Sequence, residues 1–284
     1  MITRAPRPWV AAATAALILG LGTADTPRIS LLAPHRHLEV VLTVDGASAT
    51  AAAAIRPIAR LLQTQFGLPL PTRVTAHVYD GLEPFERGLV TYAALTAPAA
   101  AEMARFAAGA TLPGIVLLRA PALASRPSVD WPRLIAHELT HVAQIELAGG
   151  DTGPAQWLAE GMAEWVAYRV AEHLGVGGFP GVHASPRADA VEYVRRTGGL
   201  DLAALASPKG LIVRHRQVGT VLTYRLTRHL TAELVRRRGF EALVRYFRAF
   251  RVSDDAEANF AASFGIPVDG FARITRDRLA VRVD

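Results

Sequence analysis

The sequence contains no cysteine, a single lysine and, after its first 24 residues, no long apolar run. Without cysteine, the chain can form no disulfide and offers no thiolate to a metal or a substrate. Because Lys209 is the only lysine, arginine carries almost all of the positive charge behind the net charge of +6. A spanning helix needs about 20 apolar residues, and no segment after residue 24 provides them. The fold must therefore be stabilised by core packing rather than by disulfides.

The N-terminus has the layout of a secretory signal peptide. Two arginines precede an apolar run over residues 9–21, and small residues follow at a plausible cleavage point. The run is shorter than a spanning helix requires, which favours a cleaved signal over a retained membrane anchor. We therefore expect residues 1–24 to be a signal peptide or N-terminal anchor. Residues 25–284 would then form one domain that is periplasmic, extracellular or anchored facing outside.

Hydrophobic periodicity predicts strands in the first part of the chain and helices afterwards. Strands are predicted over residues 37–44, 73–79 and 114–119. The last of these, GIVLLR, is apolar throughout and is expected to be buried on both faces. Helices are predicted over residues 48–66, 130–148, 157–174, 218–237, 240–250, 255–264 and 268–281, with a glycine- and proline-rich loop over residues 175–187. This order predicts an α+β fold with a small N-terminal mixed sheet, a central helix pair and a helical C-terminal half.

The motif HELTH occupies residues 137–141, and Glu160 follows after 18 residues. On a helix, positions i and i+4 lie on one face, so His137 and His141 can reach one ion. Glu160 as a third ligand leaves the fourth tetrahedral position open, which is typical of a catalytic zinc. Glu138 lies on the same turn, where it can accept a proton from water. We expect one Zn²⁺ per chain.

The alternative interpretation of this motif is a surface helix with solvated histidines and acids. It is disfavoured because these side chains belong to an otherwise apolar helix pair. Burying two histidines and two acids there without a cation to pair with them would be costly.

The segment HELTH, with Glu160 in WLAEGMAEW, resembles the gluzincin metallopeptidases, and more narrowly the compact bacterial peptidase MA-like domains. The strings RVTAHVYDGLEPFERG, GIVLLRAPAL and NFAASFGIPVDGFARITRDRL are similar to flanking segments of that family. The resemblance implies a zincin-like fold, with His137, His141 and Glu160 as zinc ligands and Glu138 as general base. It also implies that Glu164 orients the first histidine; the alternative is a glutamate on the helix surface. Gly161 supports the first interpretation, because a glycine inside a helix usually has a close-packing reason.

The resemblance makes two further statements about the site. It implies that GIVLLR is an edge strand that pairs with an extended substrate, although continuous apolarity is unusual at a sheet edge. Relatives also carry a tyrosine, at the position of Arg216 here, that stabilises the oxyanion. His215, Arg216 and Tyr224 are the candidates for that donor in this chain. The alternative places His215 and Arg216 in structural or solvated positions and Tyr224 in the core.

These features predict an exported zinc metallopeptidase that acts on a peptide or protein substrate. The aminopeptidases of the group that this chain resembles carry a glycine-and-acid motif that binds the free amine of the substrate. The chain lacks this motif, which favours an endopeptidase over an aminopeptidase. The alternative is a non-catalytic zinc-binding interaction or scaffolding domain of the cell envelope, which the missing tyrosine favours and the intact Glu138 opposes. The late arginines predict solvated helix faces or contact with an anionic surface, and no specific nucleic acid. The sequence does not determine the oligomeric state.

Overall fold

The computed structural model describes residues 39–44, 49–120, 127–150, 153–176 and 186–280. The expected signal segment, residues 1–24, lies outside these ranges, as does most of the predicted loop over residues 175–187. In the described part of the chain, no helix is both long enough and apolar enough to cross a membrane. The strands are β1 (Glu39–Val44), β2 (Arg73–Tyr79), β3 (Gly109–Leu112) and β4 (Ile115–Arg119). The helices are α1 (Ala49–Phe66), α2 (Leu82–Ala93), α3 (Ala97–Phe106), α4 (Pro127–Ala148), α5 (Gln156–His173), α6 (Pro186–Thr197), α7 (Pro208–Val218), α8 (Thr220–Arg238), α9 (Phe240–Ala249), α10 (Ala256–Phe264) and α11 (Val268–Ala280).

The strands form one mixed sheet in the order β1-β2-β4-β3. β1, β2 and β4 are parallel, and β3 runs antiparallel to β4. Helix α1 connects β1 to β2, and helices α2 and α3 lie between β2 and β3. β3 and β4 are joined by the tight turn at Pro113 and Gly114, the latter with φ +68°. The predicted α+β class with a small N-terminal mixed sheet is confirmed.

β4 is an inner strand of this sheet. Val116, Leu117 and Leu118 are all buried, which confirms that both faces of the strand are covered. The edge position that the resemblance implied for this strand is wrong, because β4 pairs with β2 on one side and β3 on the other. The continuous apolarity of the segment correctly indicated an inner strand. Successive side chains of a strand point to opposite faces, so a strand covered on both faces buries all of them. β3 has only four residues and was not predicted.

Helices cover both faces of the sheet. One core cluster joins α1, α4 and the C-terminal helices to Val116 and Leu118 of β4. A second, smaller cluster lies under α2 and α3 and includes Leu117, whose side chain points to the opposite face. α4 packs against α1, α5, α9 and the sheet, and α5 packs against α8. The helix with the HELTH motif is therefore surrounded by other elements.

Gly161 explains the close packing of α5 on α8. A Cβ atom at this position would lie 2.2 Å from Thr231 Oγ1 and 2.4 Å from the carbonyl oxygen of Thr227. The close-packing reason expected for this glycine is thus confirmed.

The helix predictions differ from the structure in detail. α4 begins at Pro127, ahead of the predicted start near Asp130, and α8 begins at Thr220 because Gly219 has φ +92° and separates it from α7. Four helices were not predicted: α2, α3, α6 and α7. The helical C-terminal half is confirmed.

Candidate metal centre

Two neighbouring helices carry the predicted ligands. α4 places His137 and His141 one turn apart on one face, and α5 does the same for Glu160 and Glu164. The helices run antiparallel, so that His141 lies opposite Glu160 and His137 lies opposite Glu164. All four side chains are buried. The structure therefore brings the three predicted ligands and the predicted orienting acid together.

The three ligand atoms form a nearly equilateral triangle. His137 Nε2 lies 3.0 Å from His141 Nε2 and 3.3 Å from Glu160 Oε2, and His141 Nε2 lies 3.5 Å from that same oxygen. A tetrahedral zinc ion with ligand distances of about 2.0–2.1 Å holds its donor atoms roughly 3.3 Å apart. The donor set thus fits an ion of this size, and His137, His141 and Glu160 could together bind a metal ion.

The hydrogen-bond partners of the histidines fix which ring nitrogen faces the centre. The side-chain amide of Gln144 donates from Nε2 to the carbonyl oxygen of Ala159 at 2.9 Å, which leaves its Oε1 to accept from His141 Nδ1 at 2.9 Å. His137 Nδ1 lies 3.2 Å from Glu164 Oε1, another acceptor. A proton on each Nδ1 leaves both Nε2 atoms as lone-pair donors. Two imidazole lone pairs and a carboxylate oxygen therefore converge on one point.

The electrostatics of the centre favour positive charge at this point. Burial lowers the pKa of His137, but hydrogen bonds to Glu160 and Glu164, and their charges, outweigh burial and raise that pKa to about 10. Burial raises the pKa of Glu160, yet the charges and hydrogen bonds of His141 and His137 lower it to about 2. In the metal-free protein, a proton on His137 supplies the positive charge that the carboxylates demand.

Glu160 is held by a residue that the sequence did not single out. Gln156, one turn earlier on α5, donates from Nε2 to Glu160 Oε1 at 2.7 Å and is fully buried. Glu160 Oε2 instead faces the two imidazoles, at 3.3 Å from His137 Nε2 and 3.5 Å from His141 Nε2. The carboxylate therefore presents one oxygen to the protein and the other to the centre, as a monodentate metal ligand would.

Glu138 is buried against the edge strand β3. Its Oε2 accepts a hydrogen bond from Thr111 Oγ1 at 2.7 Å, whereas Oε1 has no hydrogen-bond partner among the residues that the structure describes. The side chain covers Gly109, where a Cβ atom would lie only 2.6 Å from Oε1. Burial raises the pKa of Glu138, and the charges of His137 and His141 oppose that rise. The result is a carboxylate with one fixed oxygen and one unpaired oxygen near the two imidazoles.

The three candidate oxyanion donors lie in different surroundings. Tyr224 is buried with its ring centre 6.2 Å from that of His137 and 5.1 Å from that of His215. His215 is also buried, and no described residue makes a hydrogen bond to its Nε2. Burial lowers the pKa of His215 to about 4, so this imidazole is neutral at pH 7. Arg216 is instead half-exposed and forms an ion pair with Glu102 of α3. The structure thus brings His215 and Tyr224 to the centre and leaves Arg216 at the surface.

Neither a comparison with protein-family models nor a comparison with curated proteins gives a match to this chain. Assignment of a function therefore rests on the donor set and its surroundings. Sequence reasoning missed Thr111, Gln144 and Gln156. Gln156 offered a weak signal, because it precedes Glu160 by one helical turn, and Gln144 follows His141 by three residues on the same helix. Thr111 offered none, because its contact joins a strand to a helix 27 residues away.

Proposed function

We propose that this protein is an exported zinc-dependent peptidase with a zincin-like fold. The observation that carries the proposal is the convergence of three lone-pair donors, His137 Nε2, His141 Nε2 and Glu160 Oε2, beside a buried carboxylate with an unpaired oxygen. A binding site for a structural metal needs no such base. The order of a mixed sheet, a helix with HExxH and a helix with the third ligand supports the zincin-like assignment.

Zinc is the metal that the donor chemistry favours. Two imidazole nitrogens and one carboxylate oxygen form a set that suits zinc better than the oxygen-seeking ions calcium and magnesium. The charge balance agrees. Glu138, Glu160 and Glu164 supply three buried negative charges when ionised, and Arg133 supplies one buried positive charge, so a divalent cation would neutralise the remainder.

Glu138 would act as the general base. A zinc ion held by the three ligands would lower the pKa of bound water to about 7 and polarise the carbonyl of a substrate. The unpaired Oε1 of Glu138 can accept the proton of the attacking water and later deliver it to the leaving amine. The raised pKa that burial gives to Glu138 strengthens it as a base. Thr111 holds the other oxygen and so fixes the direction in which Oε1 points.

His215 is the best-placed candidate to stabilise negative charge on the substrate. Its neutral ring can donate one hydrogen bond, and its buried Nε2 has no hydrogen-bond partner in the described ranges. Tyr224 packs against it and shares the surroundings of His137. Donors held in a desolvated site stabilise a developing oxyanion more strongly than donors in water. Arg216 is not suited to this role, because its ion pair with Glu102 lies at the surface.

The edge of the sheet nearest to Glu138 is β3, because Thr111 of this strand contacts the Glu138 side chain. An extended peptide substrate would therefore pair with β3 rather than with β4. Such pairing suits cleavage within a chain, as in an endopeptidase.

A non-catalytic metal-binding domain of the cell envelope is the second candidate. The observation that favours it is burial: the side chains of His137, Glu138, His141 and Glu160 are at most 3% exposed. Turnover requires a substrate carbonyl to reach the metal, whereas a structural or scaffolding site gains from being closed.

The two candidates are separated by comparing the wild-type protein with Glu138→Gln. Bound zinc is measured by elemental analysis, and cleavage is measured on an unbiased peptide library by mass spectrometry. We expect both proteins to hold one zinc per chain and only the wild type to cleave. Glu83→Gln, which alters a side chain 84% exposed on α2, is the control and should cleave as the wild type does. Zinc without cleavage in the wild type would favour the scaffolding domain, and no zinc in any variant would refute the metal site.

A further inference from the structure

The contacts between α4 and α5 continue beyond the metal ligands. One turn before His137 on α4 lies Arg133, and one turn after Glu164 on α5 lies Tyr168. The guanidinium carbon of Arg133 is 4.0 Å from the centre of the Tyr168 ring. Because the two helices are antiparallel, residues four apart on α4 face residues four apart on α5. His137 faces Glu164, and one turn away Arg133 faces Tyr168.

Glu164 bridges Arg133 and His137. Its Oε2 accepts a hydrogen bond from Arg133 Nη2 at 3.4 Å, and its Oε1 lies 3.2 Å from His137 Nδ1. Among the described residues, Arg133 is the hydrogen-bond donor to Oε2, and His137 is the neighbour of Oε1. Loss of Arg133 would leave Oε2 buried without a donor, and the carboxylate would be free to turn away from the imidazole.

Packing alone does not account for an arginine at this position. The Arg133 side chain is 4% exposed, and within the described part of the chain its Nε and Nη1 have no hydrogen-bond partner. Burying a guanidinium with so few partners is costly, and an apolar side chain of similar volume would fill the space more cheaply. A second guanidinium, that of Arg228, lies 3.8 Å from the centre of the same Tyr168 ring. The protein thus concentrates positive charge beside Glu164.

We propose that Arg133 is a positioning residue of the metal centre: it holds Glu164 in the orientation that keeps a proton on His137 Nδ1 and directs Nε2 at the metal. The motif of this chain accordingly extends one turn towards the N-terminus, from HExxH to RxxxHExxH. This inference rests on the proposed metal site. The experiment that tests it measures zinc affinity and does not depend on peptide cleavage.

The test compares Zn²⁺ dissociation constants of the full chain, measured by competition with a chromophoric chelator. Arg133→Met should weaken zinc binding by about 10-fold or more, the lower end of the range for partners of metal-binding histidines. Arg133→Lys keeps a positive charge near Oε2 but lacks the planar guanidinium that contacts Tyr168, so its zinc affinity should lie between those of the wild type and Arg133→Met. The visible absorption spectrum of the Co²⁺-loaded protein should change in Arg133→Met and not in the control Arg87→Met, which removes an exposed ion pair with Glu83.

A double-mutant cycle with Glu164→Gln distinguishes positioning from general packing. If Arg133 acts through Glu164, Arg133→Met should weaken zinc binding far less in the Glu164→Gln background than in the wild type. Equal losses in the two backgrounds would overturn the proposal, as would wild-type zinc affinity in Arg133→Met. If the methionine variant does not fold, Arg133→Gln is measured in its place against the same two outcomes. If the wild-type protein binds zinc and cleaves no peptide, the proposed peptidase activity is refuted, and the zinc-affinity test of Arg133 still applies.

Discussion

A methyl group at position 109 would test the role of Glu138 without altering any ligand. A Cβ atom on Gly109 would lie 2.6 Å from Glu138 Oε1, 2.8 Å from Cδ and 2.9 Å from Cγ. Favourable contacts between heavy atoms lie near 3.5 Å, so the carboxylate must move by roughly 0.5–1 Å in Gly109→Ala. The backbone of Gly109 does not have a positive φ, so alanine is compatible with it.

The expected result is a loss of turnover with zinc retained. A displacement of about 1 Å in a catalytic group can lower the rate by about 100-fold, which corresponds to about 2.7 kcal/mol of transition-state free energy. Zinc content should stay at one per chain, because Glu138 is not among the three ligand residues. The assay measures kcat/KM on a peptide that the wild type cleaves, together with bound zinc.

Gly153→Ala is the matched control. This glycine also lacks a positive φ, and a Cβ atom there would meet no atom of another described residue within 4 Å. The control should cleave at the wild-type rate. If Gly109→Ala instead retains wild-type kcat/KM, then Glu138 is not the general base in the geometry that we describe.

Three further predictions follow from the described contacts. Zinc binding must displace the proton of His137, whose pKa is raised to about 10, so zinc affinity should rise by about tenfold per pH unit between pH 7 and 9; chelator competition at several pH values checks this, and a pH-independent affinity would contradict it. His215→Phe should lower kcat by about 100-fold or more with zinc content unchanged, measured by steady-state kinetics, whereas an unchanged kcat would exclude His215 as the oxyanion donor. Gly161→Ala should lower the free energy of unfolding by about 1–3 kcal/mol, because its methyl group would overlap Thr231 Oγ1; urea denaturation measures this, with Gly153→Ala expected to match the wild type.

The sequence was sufficient for the features that depend on local periodicity. His137 and His141 lie on one face of a helix because they are four residues apart, and Glu160 and Glu164 are related in the same way. The apolarity of residues 114–119 likewise predicted a strand buried on both faces, and Gly161 inside a helix predicted close packing. Each of these conclusions follows from properties of neighbouring residues along the chain.

Tertiary structure decided which side chains meet these ligands. Thr111 contacts Glu138 only because β3 forms the sheet edge beside α4, and His215, rather than its neighbour Arg216, is directed into the core by the packing of α7. The partnership of Arg133 with Glu164 depends on the antiparallel register of α4 and α5. Contacts of this kind are set by how separate elements pack, and the periodicity of one element determines which face is buried without determining which side chains it will meet.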